Sequence, residues 1–324
     1  MLAKSDAFPR LILLFCLAAL CLLGASGCVS LQPYEAVVED LPASNLLSID
    51  GHRVYVEAQG SGEPLVMIHG FGGSTYSWRQ VLPELARSYR VIALDLRGFG
   101  FTERPEDLEL YTRDAQVHLI LRVLDELGID RAHLMAHSYG GGLAMTLSVR
   151  HPERVRSLVL ADSTAPDYAL RRRKPVAALP PVTWLFTRIY ALRPPTVRRV
   201  LERAWYDDQA VSPEVVDEYL ERLRIEGAAR AYRGLSTPLV HEQEKAPITY
   251  EDLTVPVLVI WGEEDQLISV EAGRSATERM PRARFVALPD CGHSPMEEQP
   301  EAFLRAVEPF LAAPDRSVAS ATAR

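Results

Sequence analysis

The sequence predicts an α/β fold, a mostly parallel central sheet with helices on both faces, and three observations carry that expectation. Its strand runs are apolar without alternation, as in VMI (66–68), VIAL (91–94), LVL (158–160) and VLVI (257–260), which suits strands buried on both sides. Helical stretches separate these runs, in the rhythm of strands joined by crossovers. Finally, RAHLMAHSYGGGLAMTLSVRHP (131–152) passes from an apolar strand through Ser138 straight into a helix of small residues. A chain of 324 residues, 48% hydrophobic and 24% charged, can bury a full core, and nothing in it repeats.

The chain opens with a segment outside this pattern. Lys4 and Arg10 precede an apolar stretch (11–23) and the small residues GASGC (24–28), the form of a secretory signal and short for a membrane-spanning helix. Ala25-Ser26-Gly27-Cys28 resembles a bacterial lipoprotein lipobox, with Ala25 where leucine is favoured. That resemblance implies Cys28 as a lipidated first residue of the mature chain, with an uncleaved anchor as the alternative. The expected address is the bacterial cell envelope, membrane-attached and facing out of the cytoplasm, with the outer membrane open as a site. Cys16 and Cys21 lie in the same segment, so Cys291 alone belongs to the folded body and no bridge forms within it.

Residues 29–45 read as a spacer, and 46–312 as one folded domain. Asp50-Gly51 turns a hairpin over 47–57. Residues 75–87 and 112–127 read as amphipathic helices, the second capped by Thr112. After Asp162 the rhythm breaks, and it resumes at Pro256. Ser212-Pro213 starts a helix inside this insertion, proline being favourable at the first helical position. Residues 313–324 read as a flexible tail.

Chemistry concentrates at strand ends. Ser138 occupies the strand, turn and helix of a nucleophile elbow, and Gly140, Gly142 and Gly141 let neighbouring backbone approach, although Ala136 stands where G-x-S-x-G has its first glycine. PLVMIHGFGGS (64–74) ends a strand in His69-Gly70-Phe71-Gly72-Gly73, and RVIALDLRGFGFT (90–102) ends one at Asp95. PVLVIWGEEDQLIS (256–269) delivers Asp265, and RFVALPDCGHSPMEEQP (284–300) delivers His293. A histidine is required because an imidazole that titrates near neutrality can take the serine proton and return it to a leaving group.

This ordered set, Ser138, Asp265, His293, resembles the α/β-hydrolase fold family over residues 46–311, and within it the lid-bearing hydrolases of esters, lactones and C–C bonds. The resemblance implies a helical lid inserted after the sixth strand, at about 165–248. It also implies an oxyanion hole made by the Phe71 and Tyr139 backbone amides, and Asp265 as the acid that orients His293. Asp162, at the end of the strand after the elbow helix, is the alternative acid, since some members carry theirs there; otherwise it caps a turn. Cys291, two residues from His293, reads as a small buried filler.

The implied function is a serine hydrolase acting on a small apolar or amphipathic ester through an acyl-enzyme. Cleavage of a C–C bond in a vinylogous diketone is the alternative, because it uses the same triad, and a non-catalytic membrane-associated scaffold would require a broken one. A serine nucleophile disfavours haloalkane and epoxide chemistry, which in this fold runs through aspartate. No cofactor or metal is expected: His69 and His137 stand singly, and the glycine runs lack the lysine of a phosphate loop. A net charge of -8 argues against nucleic acid. Arg171, Arg172, Arg173, Lys174, Arg188, Arg193, Arg198, Arg199 and Arg203 make the early lid basic, either as a solvated face or as a second contact with an anionic membrane. The oligomeric state is left open.

Overall fold

The computed structural model describes residues 29–165, 183–184, 186–236 and 248–315. Its centre is an eight-stranded sheet of order β1-β2-β4-β3-β5-β6-β7-β8. The strands are β1 (Leu46–Ile49), β2 (His52–Gln59), β3 (Glu63–Ile68), β4 (Tyr89–Leu94), β5 (Ala132–His137), β6 (Val155–Ala161), β7 (Val257–Gly262) and β8 (Ala283–Leu288). β1 pairs antiparallel with β2, and β2 with β4; every later pairing is parallel.

The unalternating strands bury two faces. In β3, Leu65 and Met67 enter one hydrophobic core while Val66 and Ile68 enter another. The first core is closed by α2 (Leu82–Leu85) and α10 (Pro300–Ala312), through Leu82, Leu85, Phe303, Val307 and Phe310. The second is closed by α3 (Arg113–Glu126), α4 (Tyr139–Arg150) and α8 (Val270–Glu278). Side chains that alternate in direction thus find apolar partners on both sides, as a covered parallel sheet requires.

Local signals act as expected in two places. The Asp50-Gly51 turn has φ of 52° and 80°, the left-handed pair that matches the twist of a tight hairpin. Thr112 accepts a hydrogen bond from the Ala115 amide at 3.2 Å and caps α3. The helix expected over 75–87 is instead broken into a 3₁₀ turn (Thr75–Trp78) and the short α2. Pro83 lies in the first turn of α2, where its missing N–H costs nothing, so the second helix starts there.

A helical lid lies between β6 and β7. Its described helices are α5 (Pro194–Ala204), α6 (Pro213–Leu223) and α7 (Ala228–Ser236). Leu192, Val197, Leu201, Trp205, Val216 and Leu220 give it a core of its own. Ser212 caps α6 by accepting from the Val215 amide, with Pro213 following it. Residues 29–45, read from sequence as a spacer, pack first against this lid and then against the sheet body. Val29 N donates to Arg188 O, Gln32 N to Arg224 O, and Glu226 N back to Gln32 O. The short helix α1 (Tyr34–Glu39) then buries Tyr34 and Val37 with Tyr55, Phe101 and Ile225. The signal segment with Cys16, Cys21 and Cys28, the basic run 171–174, and residues 316–324 of the tail lie outside the described residues.

Candidate active site

Ser138 stands between β5 and α4 with φ 48° and ψ −117°, a strained conformation that lifts the hydroxyl above the strand ends. Two close approaches make the turn fit. A Cβ on Gly140 would lie 2.5 Å from the His69 carbonyl oxygen, and one on Gly141 would lie 2.1 Å from Ser163 Oγ. Gly142 is less confined, its nearest contact being Thr164 Oγ1 at 3.0 Å, so the crowding falls on the first two glycines. Ala136, buried in β5, is accommodated between Ile68 and Leu160.

The structure brings the three residues predicted from sequence together. Ser138 Oγ is 2.9 Å from His293 Nε2, and His293 Nδ1 is 2.7 Å from Asp265 Oδ2. All three are buried. Asp265 is fixed by its other oxygen, which accepts from the amides of Leu267 at 2.7 Å and Ile268 at 3.0 Å. Nδ1 therefore donates to the carboxylate, leaving Nε2 to accept the serine proton.

Asp162 is close to the pair without touching the imidazole by a hydrogen bond. Oxygens of Asp162 and Asp265 and a ring nitrogen of His293 lie within 4.8 Å of one another. Asp162 Oδ1 accepts from the Gly262 amide at 3.0 Å, tying the end of β6 to the end of β7, and its carboxyl lies beside that of Asp265. Burial, and then the charge of Asp265, push its carboxyl well above the usual carboxylate range. A neutral carboxyl is the form such a position tolerates, since a second buried anion beside Asp265 would be costly.

Two buried histidines brace the site. His69 Nδ1 donates to Gly70 O at 2.7 Å and its Nε2 accepts from Leu96 N at 3.0 Å, while burial lowers its pKa to about 4. His137 packs against the His293 ring, centroids 4.9 Å apart, and its Nε2 donates to the His293 carbonyl at 2.7 Å. Burial, and then proximity to His293, hold His137 neutral. Asp95 accepts from the Thr75 and Phe101 amides, both at 2.7 Å, and burial raises its pKa to about 7. Sequence reasoning placed His69 and His137 at the site and gave them no task. Neither the tautomers nor the partners have a signal in spacing.

Phe71 is half-exposed and meets Phe99, Tyr139 and Tyr232 edge-on, with centroids 5.2, 6.3 and 5.8 Å away. Tyr232 comes from α7, so this aromatic wall joins body and lid. Cys291 is buried, and burial pushes its thiol up, away from any nucleophilic role. The arrangement defines a serine hydrolase with a Ser-His-Asp triad.

The chain belongs to the alpha/beta hydrolase fold family, whose model matches residues 63–300. It is 35% identical over 277 residues to a 2-hydroxymuconate semialdehyde hydrolase of Pseudomonas sp. (strain CF600), covering 83% of this chain and 94% of that protein. It is 30% identical over 265 residues to a 2-hydroxy-6-oxo-2,4-heptadienoate hydrolase of Pseudomonas putida, covering 79% of this chain and 91% of that one. Among solved structures, a meta-cleavage product hydrolase from Pseudomonas fluorescens superposes with a TM-score of 0.68 at 28% identity, covering 82% of this chain and 97% of that chain.

These relatives correct the expected partners and location. The membrane-attached envelope enzyme with an apolar ester and a bilayer for partners gives way, because proteins matching most of this chain are named for small semialdehyde and dienoate substrates. Among the described residues, no helix is long and apolar enough to cross a membrane. Part of the basic lid run is also spent internally. Arg188 donates to the Val29 carbonyl at 2.7 Å, and Arg198 to the Val211 carbonyl at 2.6 Å.

Proposed function

We propose that this enzyme hydrolyses a C–C bond in a vinylogous diketone of the 2-hydroxy-6-oxo-dienoate class, in preference to an ester. The observation that carries the reading is the coincidence of a complete Ser138-His293-Asp265 relay with relatives at 30–35% identity that are named for such substrates. In this scheme His293 takes the Ser138 proton as Oγ adds to the ketone carbonyl. The Phe71 and Tyr139 amides hold the resulting oxyanion, a contribution of about 3 kcal/mol per donor in comparable sites. Tyr139 opens α4, so the positive end of that helix adds to the same field.

The scheme requires the diketo tautomer of the substrate, formed when the C2 hydroxyl proton moves to C5. Collapse of the oxyanion then breaks the C5–C6 bond, and its electron pair passes into the conjugated dienolate, which takes the proton originating from Ser138 by way of His293. A carbon leaving group departs only because that conjugation receives the pair. Water, deprotonated by His293, then releases the acyl group from Ser138 as a carboxylate, and the imidazolium returns the proton.

Purified protein should turn over 2-hydroxy-6-oxo-2,4-heptadienoate or 2-hydroxymuconate semialdehyde with kcat/KM well above that for p-nitrophenyl acetate and butyrate. Ser138→Ala should lose activity on all of them by about 10⁴-fold or more. Efficient ester turnover with none on the dienoates would return the site to ester hydrolysis.

A further inference from the structure

His293 is carried by the connection between β8 and the short helix α9 (Pro295–Glu298), where no sheet ladder fixes the backbone. Its position depends on contacts to the peptides around it. The His293 amide donates to Ala204 O, at the end of lid helix α5, at 2.6 Å. The two amides on either side of the histidine go to one side chain. Gly292 N donates to Glu298 Oε2 and Ser294 N to Glu298 Oε1, each at 2.9 Å. Glu298 Oε2 also accepts from Tyr206 N of the lid at 2.7 Å. One carboxylate thus grips the catalytic loop on both flanks of His293 and the lid segment that follows α5. Body and lid are very close here: a Cβ on Gly292 would lie 2.4 Å from Ala204 O and 2.8 Å from Tyr206 N.

We infer that Glu298 is a positioning residue for the reaction: it holds the His293 loop against the lid so that Nε2 stays within reach of Ser138 Oγ. Its neighbour Glu297 turns elsewhere, to Arg79 and to Tyr219 of α6, so the two adjacent glutamates have separate tasks. Three amide donors suit an anion, and they counter the burial that raises the Glu298 carboxyl. A glutamine of the same length offers one acceptor oxygen and turns an NH₂ toward amides that need an acceptor. Small displacements of a catalytic base can cost on the order of 10²-fold in rate, so the loss should appear in the chemical step.

The inference rests on the Ser138-His293-Asp265 reading and is indifferent to the bond cleaved, which lets the two be tested apart. In Glu298→Gln, kcat on the heptadienoate should fall roughly 10- to 100-fold with KM within about threefold. The rate at which a fluorophosphonate labels Ser138, counted per folded molecule, should fall by a similar factor. Glu298→Asp keeps the charge on a shorter arm and should recover part of both rates. Folded Glu298→Gln with kcat and labelling within twofold of wild type would overturn the proposal. If that variant does not fold, Glu298→Asp decides: a several-fold loss in both rates supports the role, and unchanged rates remove it. Fast labelling of wild type without dienoate turnover would strike the proposed substrate and leave Glu298 to be judged on labelling alone.

Discussion

The sheet body and the lid are built by different means. Every residue of β5 is buried, and β3, β5, β6 and β7 send alternate side chains into two cores. The lid helices bury a single stripe each, Val197, Leu201 and Ala204 on α5 and Val216, Leu220 and Leu223 on α6, in a core of their own. Where lid meets body, polar contacts join apolar ones: Tyr219 Oη to Glu297 at 2.8 Å, His293 N to Ala204 O and Tyr206 N to Glu298, beside Tyr232 edge-on to Phe71 and Ile225 packed with Tyr55 and Phe101. Apolar burial fixes the body, and the chemistry with it. The lid has a core of its own and is seated on the body by these hydrogen bonds together with apolar contacts of Ile225 and Leu235.

The sharpest way to break this comparison lies in the body. Asp265→Asn should lower kcat by about 10³- to 10⁴-fold, because it removes the anion that fixes the His293 tautomer. Asp162→Asn should cost less than about tenfold, since its Oδ1 role toward Gly262 N can be kept by an amide oxygen. A larger loss at Asp162 would transfer the acid's role to it.

A second test reads burial through pH. His69, with its pKa lowered from 6.5 to about 4, stays neutral in the fold while the unfolded chain takes a proton. Stability is therefore lost as pH falls across that window, by up to about 3 kcal/mol from this group. His69→Gln removes the contribution, so its urea midpoint should approach that of wild type as pH drops from about 7 to about 4.5. A difference independent of pH would mean that His69 also charges in the fold.

The smallest effect belongs to the lid seat. Tyr219→Phe removes the donor to Glu297 and should cost about 1 kcal/mol. It should speed amide exchange in α6 and raise KM more than it lowers kcat. Exchange speeded equally across the whole chain, with kcat falling as much as KM rises, would erase the distinction between lid and body.

The body was far more legible in the sequence than the lid, for a physical reason. Runs such as VLVI and the crowding around Gly140 leave local traces, because a strand buried on both sides and a tight turn each restrict residue type. Ser138, Asp265 and His293 sit at strand ends in a fixed order, so position along the chain located them. Asp265 and Asp162 both follow strands, and only their contacts separate them. Glu297 and Glu298 are adjacent acids, and nothing in the spacing told them apart. The first reaches Arg79 and Tyr219, far away in sequence, and the second the nearby amides of Gly292 and Ser294 and the distant one of Tyr206. The break in 75–87 turned on Pro83 restarting a helix. Residues 29–45 looked like a polar spacer because Val29, Leu31, Tyr34 and Val37 are too few to show a period, although they are the ones that pack.

That last segment changes the mechanics of the enzyme. An insertion joined to its host by two chain connections can pivot about the line between them. Residues 29–32 are bonded to the lid at Arg188, Arg224 and Glu226, while Tyr34 and Val37, a few peptides later, are packed with Tyr55 and Phe101 of the body. The N-terminal arm is thus a third tether, too short to pay out slack, and it limits how far the roof over Ser138 can swing while both ends of the arm remain docked.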